Sequence, residues 1–470
     1  MQTIQLPPEG EGTLRAFSRI GYELPVAIAD IVDNSIDAGA SKVAVTIIRN
    51  DREVTAVVIA DDGCGMDLPT MRRGMQFAGN TQHAAGDLGA FGMGLKSASF
   101  SQAKILTVIS RREGATVASR WSLGSIGKDW NLQILNSEGA AKIFNMAAVK
   151  DPQSPNGTIV LWQELDRLVV GNGVDALDEF LATAMPRLET HLGLIFHRFL
   201  QTGKLSISVT VRHERRSMAL PREVRPYDPF SYPRTGVDGW PKTLRTELPN
   251  LGEIQLVAHI WPPGMETDAF LLGTKRGAEF QGLYFFRNNR VIQAGGWNGV
   301  IKTNFDPELV HSRVAVELPN KGLDVNVQKS AIQVTAAQRQ ALLAATDGHV
   351  DLAGYLETAR AAYRASRRAN TSGERPIVVP GAGVPAPVRR LAIRRLAKDA
   401  AIDEVEFEWI ELDDDVFFDL DIPDTKIFLN SKYRHDILAG SRASPADAPL
   451  VKMLLFLLFM KDFDRVRVSS

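Results

Sequence analysis

The chain has 470 residues, with 54 lysines and arginines against 55 aspartates and glutamates and a formal net charge of -1. At about 150 residues per domain, this length predicts roughly three domains. The near-zero net charge excludes nucleic-acid binding by bulk charge alone, although a local basic patch stays possible. The single cysteine, Cys64, excludes an internal disulfide and a cysteine-based zinc site.

No segment of the sequence predicts a membrane anchor. The longest apolar run, residues 454–460, is much shorter than the roughly 20 residues that span a bilayer. Residues 1–12 contain two glutamates and no apolar core, so we do not expect a signal peptide. We therefore expect a cytoplasmic protein that does not enter a membrane.

The first 200 residues carry a mixed pattern of helices and strands. Residues 23–38 predict a helix, with Gly39 at the position of a C-terminal cap. Runs of β-branched residues predict strands at 42–48, 54–60, 104–109 and 158–162, before a helical pattern at 174–199. These elements predict a first domain at residues 1–200.

The rest of the chain predicts further mixed domains. Alternating patterns at 205–211, 254–260, 282–286 and 323–327 predict a second α+β domain at residues 201–345. Residues 346–390 predict a basic helix and a linker rich in proline and glycine. Residues 391–470 predict a small C-terminal α/β domain, in which the apolar segment 450–463 is a helix that is either buried or forms a dimer.

Charge is unevenly distributed in the last part of the chain. Residues 352–398 contain ten basic and two acidic residues, whereas residues 403–424 contain eleven acidic and no basic ones. Three interpretations stay open: two solvated faces, pairing of the two runs inside the protein, or a surface for a partner.

A polar stripe on the first predicted helix carries the strongest chemical signal. Asp30, Asp33, Asn34 and Asp37 lie at positions i, i+3, i+4 and i+7, on one face of the helix. A solvated face usually carries mixed charges, because like charges at i and i+4 cost a few tenths of a kcal/mol. A hard cation such as magnesium would relieve the repulsion, and a carboxylate could polarise a water molecule for attack. A solvated face remains the alternative.

Two glycine-rich motifs follow this helix. Residues 61–66 (DDGCGM) come directly after a strand, where an acidic residue can accept a hydrogen bond from an exocyclic amine and the glycines allow a ligand to approach. Residues 89–97 (GAFGMGLKS) place three glycines before a predicted helix, so backbone N–H groups and Lys96 can bind phosphate. The second motif is neither a Walker loop nor GxGxxG.

In this order, the motifs at residues 30–38, 61–65, 89–94 and 156–158 resemble the ATP-binding domain shared by DNA gyrase B, heat-shock chaperones, sensor histidine kinases and MutL, the GHKL superfamily. The resemblance covers roughly residues 15–165. It implies ATP and Mg²⁺ as ligands and an α+β protein. The implied fold is an N-terminal α/β sandwich, with helices on one face of a mixed sheet.

The resemblance also implies roles for individual residues. Asn34 would bind magnesium, Asp61 would bind the adenine amino group, and residues 67–88 would form a lid over the nucleotide. Lys96 and the glycines before it would hold the phosphates, and Gly65 and Thr158 would line the purine. The implied nucleotide-binding set is Asp33, Asn34, Asp37, Asp61, Gly63, Gly65, Met66, Gly89, Phe91, Gly92, Met93, Gly94, Leu95, Lys96 and Thr158.

Within the superfamily, residues 61–66 and 94–98 look most like MORC ATPases, and residues 33–40 look like MutL. Those relatives have a second, transducer domain with a ribosomal-protein-like fold, which contributes a lysine to the γ-phosphate. Residues 285–292 are similar to the Arg-Asn-Asn-Arg strand of that domain. By the same resemblance Lys329 is the candidate sensor lysine, the alternative being an ordinary surface lysine.

One residue departs from the family pattern. The general base of the family is usually a glutamate four residues before the magnesium-binding asparagine, and here that residue is Asp30. Its carboxylate is one methylene shorter, about 1.5 Å farther from the attacking water. Misplacement of this size can cost on the order of 100-fold in rate. We therefore expect slow hydrolysis, with Asp33 able to share the work.

These features predict an ATP-gated homodimer that closes when ATP binds and reopens after hydrolysis. Duplex DNA is a candidate partner, through the basic stretch at residues 360–398, and a protein partner could bind the C-terminal region. Two alternatives stay open: a chaperone-like or scaffold protein that acts on a protein client, and a nucleotide-binding regulator with little turnover.

Overall fold

The computed structural model describes residues 12, 22–77, 94–123, 130–147, 154–165, 174–215, 220–232, 237–249, 251–263, 267–273, 277–303, 305–319, 332, 334–371, 377–396, 402–413, 415–421 and 425–463. The chain divides into two units, residues 1–360 and 361–470. Among the described residues, no helix has both the length and the apolarity that crossing a bilayer requires.

The first unit begins with an eight-stranded mixed sheet in the order β5-β4-β3-β6-β2-β1-β7-β8. Its strands are β1 (Lys42–Arg49), β2 (Val54–Asp61), β3 (Ala103–Arg112), β4 (Ala115–Ser122), β5 (Gln133–Ile134), β6 (Gly157–Leu165), β7 (Ser206–His213) and β8 (Arg222–Glu223). The strands predicted at 42–48, 54–60, 104–109 and 158–162 are confirmed. The sequence predicts that β7 begins the second domain, whereas the structure pairs it parallel to β1 in the first sheet.

Helices cover both faces of this sheet. They are α1 (Leu24–Asp37), α2 (Leu68–Met75), α3 (Gly94–Gln102), α4 (Ser137–Ala147), α5 (Val174–Ile195) and α6 (His197–Gln201). Proline in the first turn of α1 and left-handed Gly39 just after its end (φ +71°) fix the limits of this helix, close to its predicted range.

The alternation of residues along β2 creates two hydrophobic cores. Val57 and Ile59 pack with residues of α1, α3 and α5, whereas Val58 and Ala60 pack with Phe144 of α4 on the opposite face. Burial of each large side chain contributes roughly 1.5–3 kcal/mol. The resemblance implied helices on one face only, and α4 adds cover to part of the other face.

A five-stranded sheet in the order β12-β11-β13-β10-β9 completes the first unit. Its strands are β9 (Lys242–Leu248), β10 (Gly252–Ile260), β11 (Gly282–Arg287), β12 (Arg290–Ala294) and β13 (Ser312–Glu317). Three helices accompany them: α7 (Asp268–Leu271), α8 (Ala336–Leu343) and α9 (Leu352–Thr371), the last of which extends past residue 360. The predicted strands at 254–260 and 282–286 are confirmed, and the one at 323–327 lies outside the described residues.

The two sheets share one hydrophobic core. Tyr284, Phe286 and Val291 of the second sheet belong to the same buried cluster as Leu192 and Phe196, which lie at and just beyond the end of α5. The second sheet is therefore packed against the helical face of the first.

The second unit contains a four-stranded sheet in the order β14-β15-β17-β16. Its elements are β14 (Ile377–Pro380), α10 (Ala386–Leu396), β15 (Ile402–Ile410), β16 (Phe418–Asp421), β17 (Lys426–Asn430), α11 (Arg434–Leu438) and α12 (Pro449–Phe463). The stretch predicted as a Pro/Gly linker includes β14, which pairs parallel to β15. These four residues therefore lie at the edge of a sheet and not in a linker. Pro380, the last of them, is compatible with this position, because an edge strand tolerates a proline.

The oppositely charged runs meet inside this unit. The Arg389 guanidinium of the basic run lies 3.7 Å from the Glu404 carboxylate of the acidic run. Intramolecular pairing, one of the three interpretations of these runs, is therefore present.

Helix α12 is buried on one side only. Leu455, Phe456 and Phe463 belong to the core of the second unit. The exposed leucines of the same helix are Leu450, Leu454, Leu457 and Leu458, with 58–85% of each residue exposed. The predicted burial of the C-terminal helix is therefore confirmed for one face, and an apolar stripe remains on the other.

We predict that acid destabilises the second sheet through two histidines. Burial lowers the pKa of His259 and of His311 to about 4, from an ordinary value near 6.5. The folded state then binds fewer protons than the unfolded chain below pH 6.5. Stability is therefore complete above this pH and falls by roughly 1–3 kcal/mol per histidine as the pH drops toward 4.

Urea denaturation at pH 7.5, 6 and 5 measures this effect. The control is His259→Asn, which cannot take up the proton and should show a smaller loss of stability between pH 7.5 and 5 than the wild type. An identical loss in the two proteins would contradict the assignment.

Candidate functional site

Asp61, at the end of β2, brings together three parts of the chain that are distant in sequence. Its Oδ1 accepts hydrogen bonds from the backbone N–H groups of Gly63 (2.9 Å) and Thr158 (3.2 Å). Its Oδ2 accepts one from the Ser35 hydroxyl of α1 (2.9 Å). Burial raises the pKa of this carboxyl to about 6, although the three hydrogen bonds oppose the shift. At neutral pH Asp61 is therefore mostly ionised, and both of its oxygens act only as hydrogen-bond acceptors.

The glycines after Asp61 are needed for packing of the loop itself. Gly65 has a left-handed backbone (φ +67°), and a Cβ there would lie 1.8 Å from the carbonyl oxygen of Arg111. A Cβ on Gly63 would lie 2.9 Å from the Ala38 side chain. The sequence suggested that these glycines make room for a ligand, and the structure shows that the protein backbone uses that room at Gly65.

The polar stripe on α1 is divided between the interior and the surface. Asp30 and Asp33 are buried, with 1% and 0% of the residue exposed, whereas Asn34 and Asp37 are exposed. The Tyr22 hydroxyl donates a hydrogen bond of 3.0 Å to Asp30 Oδ2. Burial, together with the neighbouring Asp30 carboxylate, raises the pKa of Tyr22, so this hydroxyl stays protonated and able to donate.

The cation that balances the buried carboxylates comes from the second sheet. Arg290, at the start of β12, donates from Nε to Asp33 Oδ1 at 2.6 Å, and its Nη2 lies 3.7 Å from Asp30 Oδ1. The helix itself carries no basic residue on this stripe, and sequence reasoning therefore expected a metal ion to relieve the repulsion. For Asp30 and Asp33 an arginine 257 positions further along the chain from Asp33 does so.

The exposed part of the stripe offers an amide oxygen. The Asn34 side-chain NH₂ donates to the backbone oxygen of Asp30 at 3.0 Å, so the oxygen is the atom of this amide that could coordinate a cation. Within the described ranges no group of three or more His, Cys, Asp or Glu side chains could hold a metal ion. Magnesium needs no such cage, because it keeps several waters and binds substrate phosphates through one or two protein oxygens.

Lys96 occupies a different place from the one the motif predicted. It is 2% exposed on α3, and its ammonium donates hydrogen bonds of 2.9 Å to the backbone oxygens of Gly74 and Gln76 at the end of α2. Burial lowers its pKa to about 8. In this arrangement Lys96 fixes the end of α2, which lies within the segment predicted to be the lid.

The remaining predicted residues are described only in part. Gly94 and Leu95 begin α3, and the backbone N–H of Met66 donates to the Ser110 hydroxyl at 2.7 Å. The part of the predicted lid at residues 78–88 and five predicted site residues lie outside the described residues. The five are Gly89, Phe91, Gly92, Met93 and Lys329.

Sequence reasoning missed Tyr22, Ser35 and Arg290 as parts of this site. Arg290 belongs to the Arg-Asn-Asn-Arg segment, but nothing in the local pattern of that segment indicates which residue it contacts. Ser35 lies off the polar stripe of α1, and its hydrogen bond to Asp61 connects the helix to the end of β2.

A mixed sheet covered by helices, with a buried aspartate closing β2 and an exposed amide on the adjacent helix, is the architecture of a GHKL-type ATP-binding domain. Comparison with protein families agrees, because residues 22–154 match the family described as histidine kinase-, DNA gyrase B-, and HSP90-like ATPase. These residues are a GHKL-type ATPase domain, and the resemblance predicted from the motifs is confirmed.

Among curated proteins, the chain is similar to Protein MICRORCHIDIA 6 of Arabidopsis thaliana. The two are 35% identical over 89 residues, which is 18% of this chain and 13% of the length of that protein. The match supports the MORC-like character of this ATPase domain.

We predict that Gly65→Ala destabilises the protein and Gly74→Ala does not. At Gly65 the new side chain meets the Arg111 carbonyl and requires a left-handed backbone, which alone costs about 1–3 kcal/mol. At Gly74, inside α2, a Cβ meets only the Met66 sulfur at 4.0 Å. Alanine there should be neutral or stabilising by up to about 1 kcal/mol.

Chemical denaturation of both variants measures the difference. Equal stability of the Gly65 and Gly74 variants would mean that the loop after Asp61 can move aside at little cost.

Proposed function

We propose that the protein is a slow, Mg²⁺-dependent MORC- and MutL-like ATPase that acts as an ATP-gated dimeric switch. Its GHKL-type domain makes ATP the ligand class. The observation that carries the proposal is the meeting of α1, β2 and β6 at Asp61. It places an ionised acceptor and the glycines of residues 61–66 beside α1, where exposed Asn34 precedes Ser35.

The proposed roles follow the chemistry of each group. Asp61 accepts a hydrogen bond from the adenine amino group, with Gly65 and Thr158 beside the base. Asn34 holds the magnesium ion, which supplies charge neutralisation to the phosphates when bound. The glycine motif at residues 89–94 binds the phosphates through backbone N–H groups, and Lys329 senses the γ-phosphate from the second sheet's domain.

Asp30 is the proposed general base, and its surroundings support slow turnover. It is buried, its Oδ2 accepts a hydrogen bond from Tyr22, and its Oδ1 lies 3.7 Å from the Arg290 guanidinium, which stabilises the ionised carboxylate and makes it a weaker base. A base that is also one methylene shorter than glutamate should act slowly. The same observation favours a second candidate, a nucleotide-binding regulator with little turnover.

Dimerisation would couple nucleotide binding to a change between an open and a closed state of the protein. ATP shifts the protein toward a closed state only if it binds that state more tightly than the open one. The exposed leucine stripe of α12 supports an interface on the second unit, for a second copy of the chain or for a protein partner. A chaperone-like or scaffold function would use the same surface for a protein client.

The DNA part of the proposal depends on the basic helix α10. Arg390 is exposed, whereas Arg389 lies 3.7 Å from Glu404 and is partly balanced by that carboxylate. The side chains of Arg394 and Arg395 lie outside the described part of the structure. Duplex DNA bound by this helix would show an affinity that falls steeply with salt, since counterions are released from phosphates.

We predict that Asp61→Asn weakens ATP binding at least tenfold, because an amide cannot replace the ionised acceptor that Ser35, Gly63 and Thr158 hold in place. The matched control is Asp62→Asn, at the adjacent position. Asp62 accepts hydrogen bonds of 2.7–2.8 Å from Ser41 and Lys42 at the start of β1.

Titration with a fluorescent ATP analogue in the presence of magnesium measures the affinity of both variants. We expect the Asp62 variant to stay within threefold of the wild type. Equal losses in the two variants would show that general stability of this loop, and not adenine recognition, is what changed.

We predict that duplex DNA stimulates steady-state ATP turnover at low salt and that the effect fades at higher salt. Replacing Arg389, Arg390, Arg394 and Arg395 with glutamine should weaken DNA binding and reduce the slope of log affinity against log salt by about 0.9 for each phosphate that the protein no longer neutralises. Arg212→Gln with Arg215→Gln, two exposed positions at the end of β7 and just after it, serves as the control.

Turnover with and without DNA, at two salt concentrations, decides between the candidates. ATP binding without turnover in every condition would favour the regulator. Unchanged DNA affinity in the quadruple variant would remove α10 from the proposed DNA surface.

A further inference from the structure

Arg290 belongs to the second sheet, and its buried side chain extends to α1, the helix that carries Asp30 and Asn34. Only 2% of the residue is exposed. Its Nε donates to Asp33 at 2.6 Å, its Nη2 is 3.7 Å from Asp30, and its guanidinium lies 5.9 Å from the Phe196 ring. One buried arginine of the second sheet therefore reaches both buried carboxylates of α1.

The strand that holds Arg290 leaves the guanidinium little freedom. Strands β11 and β12 are joined by Asn288 and Asn289, both left-handed (φ +49° and +66°), as a tight two-residue hairpin turn requires. Arg290 is the first residue after this turn, and its Nη1 donates to the backbone oxygen of Val291 at 3.2 Å. A displacement of the hairpin would therefore move the guanidinium and, with it, the two carboxylates.

We propose that Arg290 is a positioning residue that couples the β11–β12 hairpin to α1, so that nucleotide binding at α1 and the position of the second sheet depend on each other. This inference rests on the proposed ATPase function. Arg290 contacts the buried side of α1, whereas Asn34 and Asp37 are exposed. Its loss should therefore disturb the placement of Asp30 more than the affinity for ATP.

The chain offers a matched control in Arg198. This residue of α6 also connects a helix of the first sheet to the second sheet. It donates a hydrogen bond of 2.6 Å to Glu317 of β13, and its guanidinium lies 3.7 Å from the Phe286 ring of β11. Neither of these two contacts involves α1. Removing Arg198 deletes a bridging arginine of the same type without touching Asp30 or Asp33.

The experiment compares the wild type with Arg290→Lys, Arg290→Gln, Arg198→Gln and the double variant Asp33→Asn with Arg290→Gln. We expect Arg290→Gln to lower kcat at least tenfold, while its KM for ATP stays within threefold of the wild-type value. The kcat of Arg290→Lys should lie between those of Arg290→Gln and the wild type. Arg198→Gln should keep kcat within about twofold. Arg290→Gln should lower the melting temperature. The double variant has one buried carboxylate fewer but still lacks the cation beside Asp30, so it should recover part of that loss, but not kcat.

A second readout does not need turnover. A non-hydrolysable ATP analogue should change the amide hydrogen exchange of residues 282–294 in the wild type and in Arg198→Gln. The change should be absent in Arg290→Gln and in the double variant. This loss of communication is an effect that a purely structural arginine would not produce.

The outcomes separate the inference from the function on which it rests. Recovery of both kcat and the exchange response in the double variant would overturn the positioning role, as would equal effects of the Arg290 and Arg198 variants. A wild type that binds the analogue without turnover would contradict the ATPase proposal, and the exchange readout would still decide on Arg290. Failure of the wild type to bind ATP would overturn both.

Discussion

The pairing of Arg290 with Asp30 and Asp33 is the constraint on which the first unit depends. A carboxylate inside a protein is strongly disfavoured unless a cation and hydrogen bonds accompany it. Here the cation belongs to β12 and the carboxylates to α1, so the polar contact lies within the hydrophobic core that both sheets share. A residue of the second sheet therefore contributes to the charge balance of α1.

Several groups that look like ligand-binding groups in the sequence also serve as structural parts. Lys96 fixes the end of α2 through two backbone oxygens, and the space beside Gly65 is filled by the Arg111 carbonyl. Asp61 combines the two uses, because its hydrogen bonds hold α1 and β6 together while its charge suits an amine donor. Preorganisation of this kind lowers the cost of ordering a site when a ligand binds.

The second unit uses its opposite charges internally and presents an apolar surface. Basic α10 and acidic β15 approach each other through Arg389 and Glu404, so part of the charge of the two runs is balanced inside the unit. The exposed leucines of α12 contrast with this arrangement, since a continuous apolar stripe on a helix usually marks a contact surface. A switch that signals through its second unit would use such a stripe.

The local elements and the class of the site could be predicted from the sequence. Local backbone preference sets the strands β1 and β2 and the limits of α1, and the order of the four motifs can be read directly along the chain. Three features could not be predicted in this way: β7 joins the first sheet, Lys96 holds the end of α2, and Arg290 reaches Asp33. Periodicity shows which face of an element is buried, but a buried polar group can be completed by a residue hundreds of positions away.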